Sequence, residues 1–181
     1  MKQQKEKKAF TLVETLISIA ILVTAVVAPL TIASSSLFQA RYSRDQVTAT
    51  YLAQEAIEMI RYVRDHNLMQ GLSGINPDWL KFIPKDKWFA PDWSTAQQGN
   101  FQLCSNVNDP ESCPYLKYNG AYSLQGATGD SRFKRAVRVI TNPSNPDEVK
   151  IESKVYWRSG AHSERSIQVQ TYIYDWAVVE N

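Results

Sequence analysis

The sequence predicts an α+β protein: one long N-terminal α-helix, membrane-spanning in its first half and amphipathic in its second, packed on a C-terminal antiparallel β-sheet. Three observations predict it. Residues 9–40 carry a single charge, Glu14. From Arg41 onward apolar residues recur at three- and four-residue steps, and in the last third three runs alternate apolar and polar residues with period two. Bulk composition conceals this division: 181 residues, net charge +2, 44% hydrophobic and 21% charged exclude collagen-like and disordered classes. A mean hydropathy of −0.35 averages one membrane-grade segment with a polar remainder, which argues against a cytosolic enzyme.

The first half of the helix comes from residues 15–33, nineteen in a row without charge. At about 1.5 Å per residue they cross a hydrocarbon core of roughly 30 Å. Lys2, Lys5, Lys7 and Lys8 precede the run, and such a cluster stays cytoplasmic. A cleaved secretory signal fits poorly: its best small-residue site, Val26-Val27-Ala28, is followed by Pro29 and a continuing helical pattern. A plain anchor leaves Glu14 unexplained, since a carboxylate at membrane depth costs about 2.5–3.5 kcal/mol and calls for a partner. Pro29 removes a backbone donor, so the helix kinks there or locally loosens; the Ser34-Ser35-Ser36 run is a further weak stretch.

The second half has Val47, Tyr51, Ala53, Ala56, Ile57, Ile60 and Val63 on one stripe, with Arg44, Gln54, Glu55, Glu58, Arg61 and Arg64 opposite. The stripe is expected to lie on the sheet and the opposite side in solvent. The pattern stops between Asn67 and Gly74, where Gly71 and Gly74 break it. A helix from Phe10 to Asn67 is roughly 87 Å long.

Residues 75–100 hold Trp79, Trp88, Trp93, Phe82 and Phe89 among three prolines, a spacing neither helical nor alternating. They read as an aromatic loop with one short helical turn, its large side chains packing rather than binding. Cys104 and Cys113 have eight residues between them. In an exported domain they close a disulfide contributing roughly 2–3 kcal/mol; the alternative is two free thiols in a loop.

The strand runs are residues 132–141, with Phe133, Val137 and Val139 on one side; 149–158, with Val149, Ile151, Val155 and Trp157; and 165–176, with Ile167, Val169, Thr171 and Ile173. Turn chemistry at Asn142-Pro143-Ser144-Asn145-Pro146 and Ser159-Gly160 joins them into a meander with one buried face.

Lys7-Lys8-Ala9-Phe10-Thr11-Leu12-Val13-Glu14 followed by a long apolar helix resembles the N-terminus of type IV pilins and the related secretion pseudopilins. That resemblance implies cleavage between Ala9 and Phe10 by a membrane prepilin peptidase and methylation of the new Phe10 amine. It also implies that Glu14 pairs with the N-terminal amine of a neighbouring subunit during assembly. Two opposite charges attract strongly at low dielectric while either alone is penalised, so Glu14 would act as a register pin. Ala9 stands where the family usually has Gly, a departure that bears on the rate of processing. Ala49-Thr50-Tyr51-Leu52-Ala53-Gln54-Glu55-Ala56-Ile57-Glu58 and the C-terminal Thr171-Tyr172-Ile173-Tyr174-Asp175-Trp176 are similar to segments of minor pilins. The implied organisation is a cytoplasmic leader at 1–9, an apolar transmembrane and assembly helix at 10–40, an amphipathic half at 41–70 and a globular antiparallel β domain at 71–181. Implied partners are other pilin or pseudopilin subunits, the prepilin peptidase, an inner-membrane assembly platform and, before assembly, membrane lipid. The chain would cross the cytoplasmic membrane once, N-terminus inside, and end in an extracytoplasmic filament or at the cell surface.

Catalytic chemistry is not expected: no phosphate-cradling loop, metal-ligand spacing or nucleophile signature is present, and no cofactor is implied. His66 and His162 read as structural or solvent-exposed. Asn106, Asn108, Asp109 and Glu111 form an acidic loop without calcium-ligand spacing. Arg132, Lys134 and Arg138 line one side of a strand with Arg135 on the other. Contact of those three cations with DNA phosphates is a minority reading, because charged residues on a solvated sheet face are commoner. The rival to a filament subunit is a monomeric membrane-anchored binding module, adhesin-like or DNA-contacting.

Overall fold

The computed structural model describes residues 11–71, 78–126, 129–158 and 164–176. Its first element is a single helix, α1 (Leu12–Gly71). Thr11 caps it: the Thr11 carbonyl accepts the first helical bond from Thr15 N at 3.2 Å, and its Oγ1 accepts from Glu14 N at 3.3 Å. Thr11 and Glu14 thus stand in capping-box spacing. Helix continues through Pro29 and ends at Gly71, inside the expected stop.

The chain divides into two units between Ser43 and Arg44. In the first, α1 alone is described, and its apolar side chains from Leu12 to Phe38 are exposed. Its hydroxyls turn back on their own helix: Ser18 Oγ donates to Glu14 O at 2.7 Å, Thr31 Oγ1 to Ala28 O at 2.8 Å and Ser34 Oγ to Leu30 O at 2.9 Å. This is the internal satisfaction that hydrocarbon demands. The segment is long and apolar enough to cross a membrane.

In the second unit, α1 packs on a seven-stranded antiparallel sheet, the α+β arrangement that the periodicities predict. The long strands are β5 (Asp130–Thr141), β6 (Glu148–Trp157) and β7 (Arg165–Tyr174). They form the expected meander, in unbroken register from Phe133↔Trp157 to Thr141↔Val149 and from Glu148↔Tyr174 to Trp157↔Arg165. The other edge of β5 is shared by two short strands, β1 (Trp88–Ala90) and β3 (Tyr115–Tyr118). β2 (Gln102–Leu103) pairs with β1, and β4 (Tyr122–Ser123) with β3. The β5–β6 turn is built as expected, with Asn142 O accepting from Asn145 N at 3.1 Å and Asn142 Oδ1 from Ser144 N at 3.1 Å. The Ser159-Gly160 turn lies outside the described residues.

The core forms where the helix stripe meets one side of the sheet. Ala56, Ile57, Met59, Ile60 and Val63 cluster with Phe89, Val137, Val139, Val149, Ile151 and Ile173. Ala49, Ala53 and Ala56 are fully buried. The stripe differs from the expected one at its start: Val47 and Tyr51 are 54% and 67% exposed, while Leu52 and Met59 are buried. The rest of the expected stripe, Ala53, Ala56, Ile57, Ile60 and Val63, is buried.

Of the aromatic region, Trp79, Trp88 and Phe89 are buried as expected, whereas Phe82 and Trp93 are exposed. The expected short helix is α2 (Trp93–Gln97). Phe82 adopts a positive φ of 70° against Gly99, where an added Cβ would lie 2.8 Å from the Phe82 ring; glycine is required there.

Candidate functional site

Two constellations carry the charged chemistry of the chain. The first is the apolar segment itself. Glu14 occupies the first turn of α1, in an exposed apolar stretch, and Ala9 and Phe10 lie outside the described residues. At a helix N-terminus a carboxylate is favoured by the unpaired N–H groups of the first turn, so Glu14 has a local stabilising role beside any intermolecular one. Pro29 leaves the Ala25 carbonyl without its helical donor. The hydroxyls of Thr15, Thr24 and Ser35 in this segment donate to carbonyls of α1 itself.

The second is the clamp between α1 and β5. Alternation along β5 puts Phe133, Arg135, Val137 and Val139 on the helix side, so a guanidinium enters the core. Arg135 is fully buried. Its Nη1 donates to Glu55 Oε2 at 2.6 Å and more loosely to Leu52 O at 3.5 Å, while Nη2 donates to Pro91 O at 2.7 Å. Glu55 Oε1 accepts from the Trp93 indole at 2.9 Å. Burial pushes the Arg135 pKa down from its ordinary value, and the neighbouring Glu55 carboxylate opposes that fall. Glu55, expected on the solvated side, is therefore corrected to a clamp residue: it stands one-third exposed at the edge of the buried stripe, where its carboxylate reaches Arg135.

The three cations considered for DNA are each engaged within the chain. Arg132 Nη1 reaches the buried Asp45 at 3.1 Å. Lys134 Nζ donates to Glu111 O at 2.8 Å and stands 4.6 Å from the Tyr115 ring centroid. Arg138 bonds Glu152 at 2.9 Å and lies 4.8 Å over Trp88. Glu152 also accepts from Lys150 at 2.8 Å. Burial alone would raise the Glu152 pKa, but the hydrogen bonds and charges of Lys150 and Arg138 prevail and hold it below the ordinary value.

Cys104 and Cys113 are joined by a disulfide with Cα atoms 4.3 Å apart. Within the loop it closes, Asn106 Oδ1 accepts from Asn108 N at 3.1 Å and Asp109 Oδ1 from Glu111 N at 2.9 Å. These side chains shape turns, and among the described residues no three His, Cys, Asp or Glu side chains converge as a metal site would require. Burial, with Glu111, Asp109 and Glu164 nearby, pushes Tyr156 up to about 12. His66 stacks on Tyr62 and meets Gln70 at 2.9 Å; His162 lies outside the described residues.

Sequence reasoning missed Arg135, Asp45 and Thr11. The signal for Arg135 was present, since period two places it with Phe133 and Val137. Nothing in local pattern marks Asp45, whose burial depends on Arg132, 87 residues away. Comparison with protein-family models, with curated proteins and with solved structures finds no match to this chain.

Proposed function

We propose that this chain is a structural minor pilin or pseudopilin, cut between Ala9 and Phe10, methylated at Phe10 and built into a type IV pilus-like filament through its apolar helix and Glu14. The observation that carries the reading is one helix with two fates. From Leu12 to Phe38 its apolar side chains are exposed around a single carboxylate, and from Ala49 to Leu68 the same helix supplies the core of a sheet domain. An anchor needs only hydrophobicity; a subunit also needs a charge that a neighbour satisfies, and Glu14 supplies it at the point where the resemblance puts the pairing. Before assembly the chain crosses the cytoplasmic membrane once with its leader inside, and afterwards it stands outside the cell in the filament. Prepilin peptidase, an assembly platform and sibling subunits are its partners on this reading, which leaves open whether the machine serves a pilus, competence or type II secretion.

The rival, a monomeric anchored binding module, gains little from the cations proposed for DNA contact, because Arg132, Lys134 and Arg138 already hold intramolecular partners. Incorporation separates the two. Glu14→Ala in the native host should leave the protein in the membrane and remove it from sheared filaments or from crosslinked subunit complexes. Undiminished incorporation of Glu14→Ala overturns the assembly role.

A further inference from the structure

We propose that the recess between the last turns of α1 and the end of α2 binds a neutral sugar ring, a hexose or an N-acetylhexosamine. The recess lies wholly within the sheet unit. It holds about 390 Å³ with its mouth included, within the range of roughly 300–1,000 Å³ found for small-molecule sites. Val63, Asn67 and Ala96 form a buried floor, and Tyr62, Gln70, Phe82, Gln97 and Gln98 stand exposed around it. Such a site would serve an anchored monomer and a filament subunit alike.

Phe82 is the residue that points to a ligand. Its φ is 70°, an outlier for a bulky side chain. Strain of this kind persists only where the surroundings impose it, and it gathers at binding sites. Burial is not its reason, since Phe82 is 56% exposed. The surroundings do impose it: Asn67 Nδ2 donates to Trp79 O at 3.2 Å and to Lys81 O at 2.8 Å, and Ile83 N donates to Leu80 O at 3.1 Å. The ring lies against Gly99, itself at φ 65°, with the Lys81 ammonium 5.0 Å from its centroid. Two unusual backbone positions thus keep an aromatic ring at the surface beside the recess. The α1 wall is fixed as well. Tyr62 stands edge-on to Trp93 at 5.9 Å and stacks on His66 at 6.2 Å, while Trp93 is tied to Glu55 and His66 meets Gln70.

The lining selects the class of ligand. None of its residues is Asp, Glu, Lys or Arg, so an ionised ligand finds no counter-charge in the wall. Each glutamine amide offers two donors and an acceptor, and Gln97 and Gln98 are open to solvent. Sugar hydroxyls and acetamido groups donate and accept in the same way. The C–H side of a pyranose packs on an aromatic surface, which Tyr62, 42% exposed, supplies. A purely apolar ligand would cover the amides without pairing them.

The test uses the full-length protein in phosphatidylcholine nanodiscs, whose lipid carries no sugar, with empty discs as the blank. Saturation-transfer NMR is recorded with D-glucose, D-galactose, N-acetyl-D-glucosamine and D-glucuronate at tens of millimolar. At least one neutral sugar should receive saturation, and more of it than glucuronate. Phe82→Gly then locates the site. Glycine adopts this φ without strain, so the variant should unfold at the same temperature or higher while saturation transfer falls several-fold. Gln97→Ala/Gln98→Ala, at an exposed helix end, should weaken transfer likewise, and Tyr172→Ala in β7 should leave it unchanged. No transfer to any neutral sugar overturns the proposal. So does transfer that Phe82→Gly and the double glutamine variant leave undiminished, or a response to glucuronate above that to the neutral sugars.

Discussion

At the scale of single residues, the Arg135–Glu55 pair is the most consequential contact in the sheet domain. Removing one member of a buried pair leaves the other charge uncompensated, at about 3–5 kcal/mol when both are fully buried. Glu55 is one-third open to solvent, so Glu55→Ala should cost somewhat less, about 2–3 kcal/mol by urea denaturation. Arg135→Met, which fills the site with an apolar chain, should cost less than Glu55→Ala, and the double variant should recover most of the loss. A double variant as unstable as the sum of the singles would show that the two residues act independently. Glu152 governs a second effect. Its folded pKa lies below its ordinary value near 4.5, so its contribution is present above that value and lost as pH falls through the lowered one. Stability of the native chain should therefore fall more steeply below pH 4.5 than that of Glu152→Gln, as measured by denaturant midpoints at successive pH values.

At the scale of elements, the disulfide ties a loop that has little regular structure. Its only described elements are the end of β2, leading in at Leu103, and a single 3-10 turn at Pro110–Ser112. Cys104→Ser/Cys113→Ser should lose about 2–3 kcal/mol of unfolding free energy with the β5–β6–β7 meander retained in hydrogen exchange. Loss of protection throughout the meander would contradict a purely local role. Long elements were legible in the sequence because their periods repeat: the alternation over Phe133, Val137 and Val139 locates β5 to within two residues of its observed start. The short strands were not. β1 is three residues and β4 two, too short for a period to show, and each exists because a neighbouring long strand offers an edge. The helix stripe was legible in kind but misplaced at Val47 and Tyr51, which are exposed while Ala49 and Leu52 beside them are buried; hydrophobicity alone does not show where on the helix the sheet begins to cover it. The partners of Glu55 could not be read locally, because Arg135 and Trp93 come from 80 and 38 residues away.

At the scale of the whole molecule, the apolar segment and the sheet domain obey different solvents. The first turns hydroxyls such as those of Ser18, Thr31 and Ser34 back on its own backbone and leaves its apolar side chains open; the second buries a mixed helix–sheet core and spends its charges in pairs. A chain built this way is held in lipid until something else covers the exposed helix, and in the proposed filament that cover is the helices of neighbouring subunits around Glu14. Everything in that account begins with processing on the cytoplasmic side. The most direct measurement is the intact mass and N-terminal residue of the protein recovered from membranes of its native host. The account predicts a chain that starts at Phe10 with one added methyl group; a chain still starting at Met1 or Lys2, in cells that process known pilins, would contradict it.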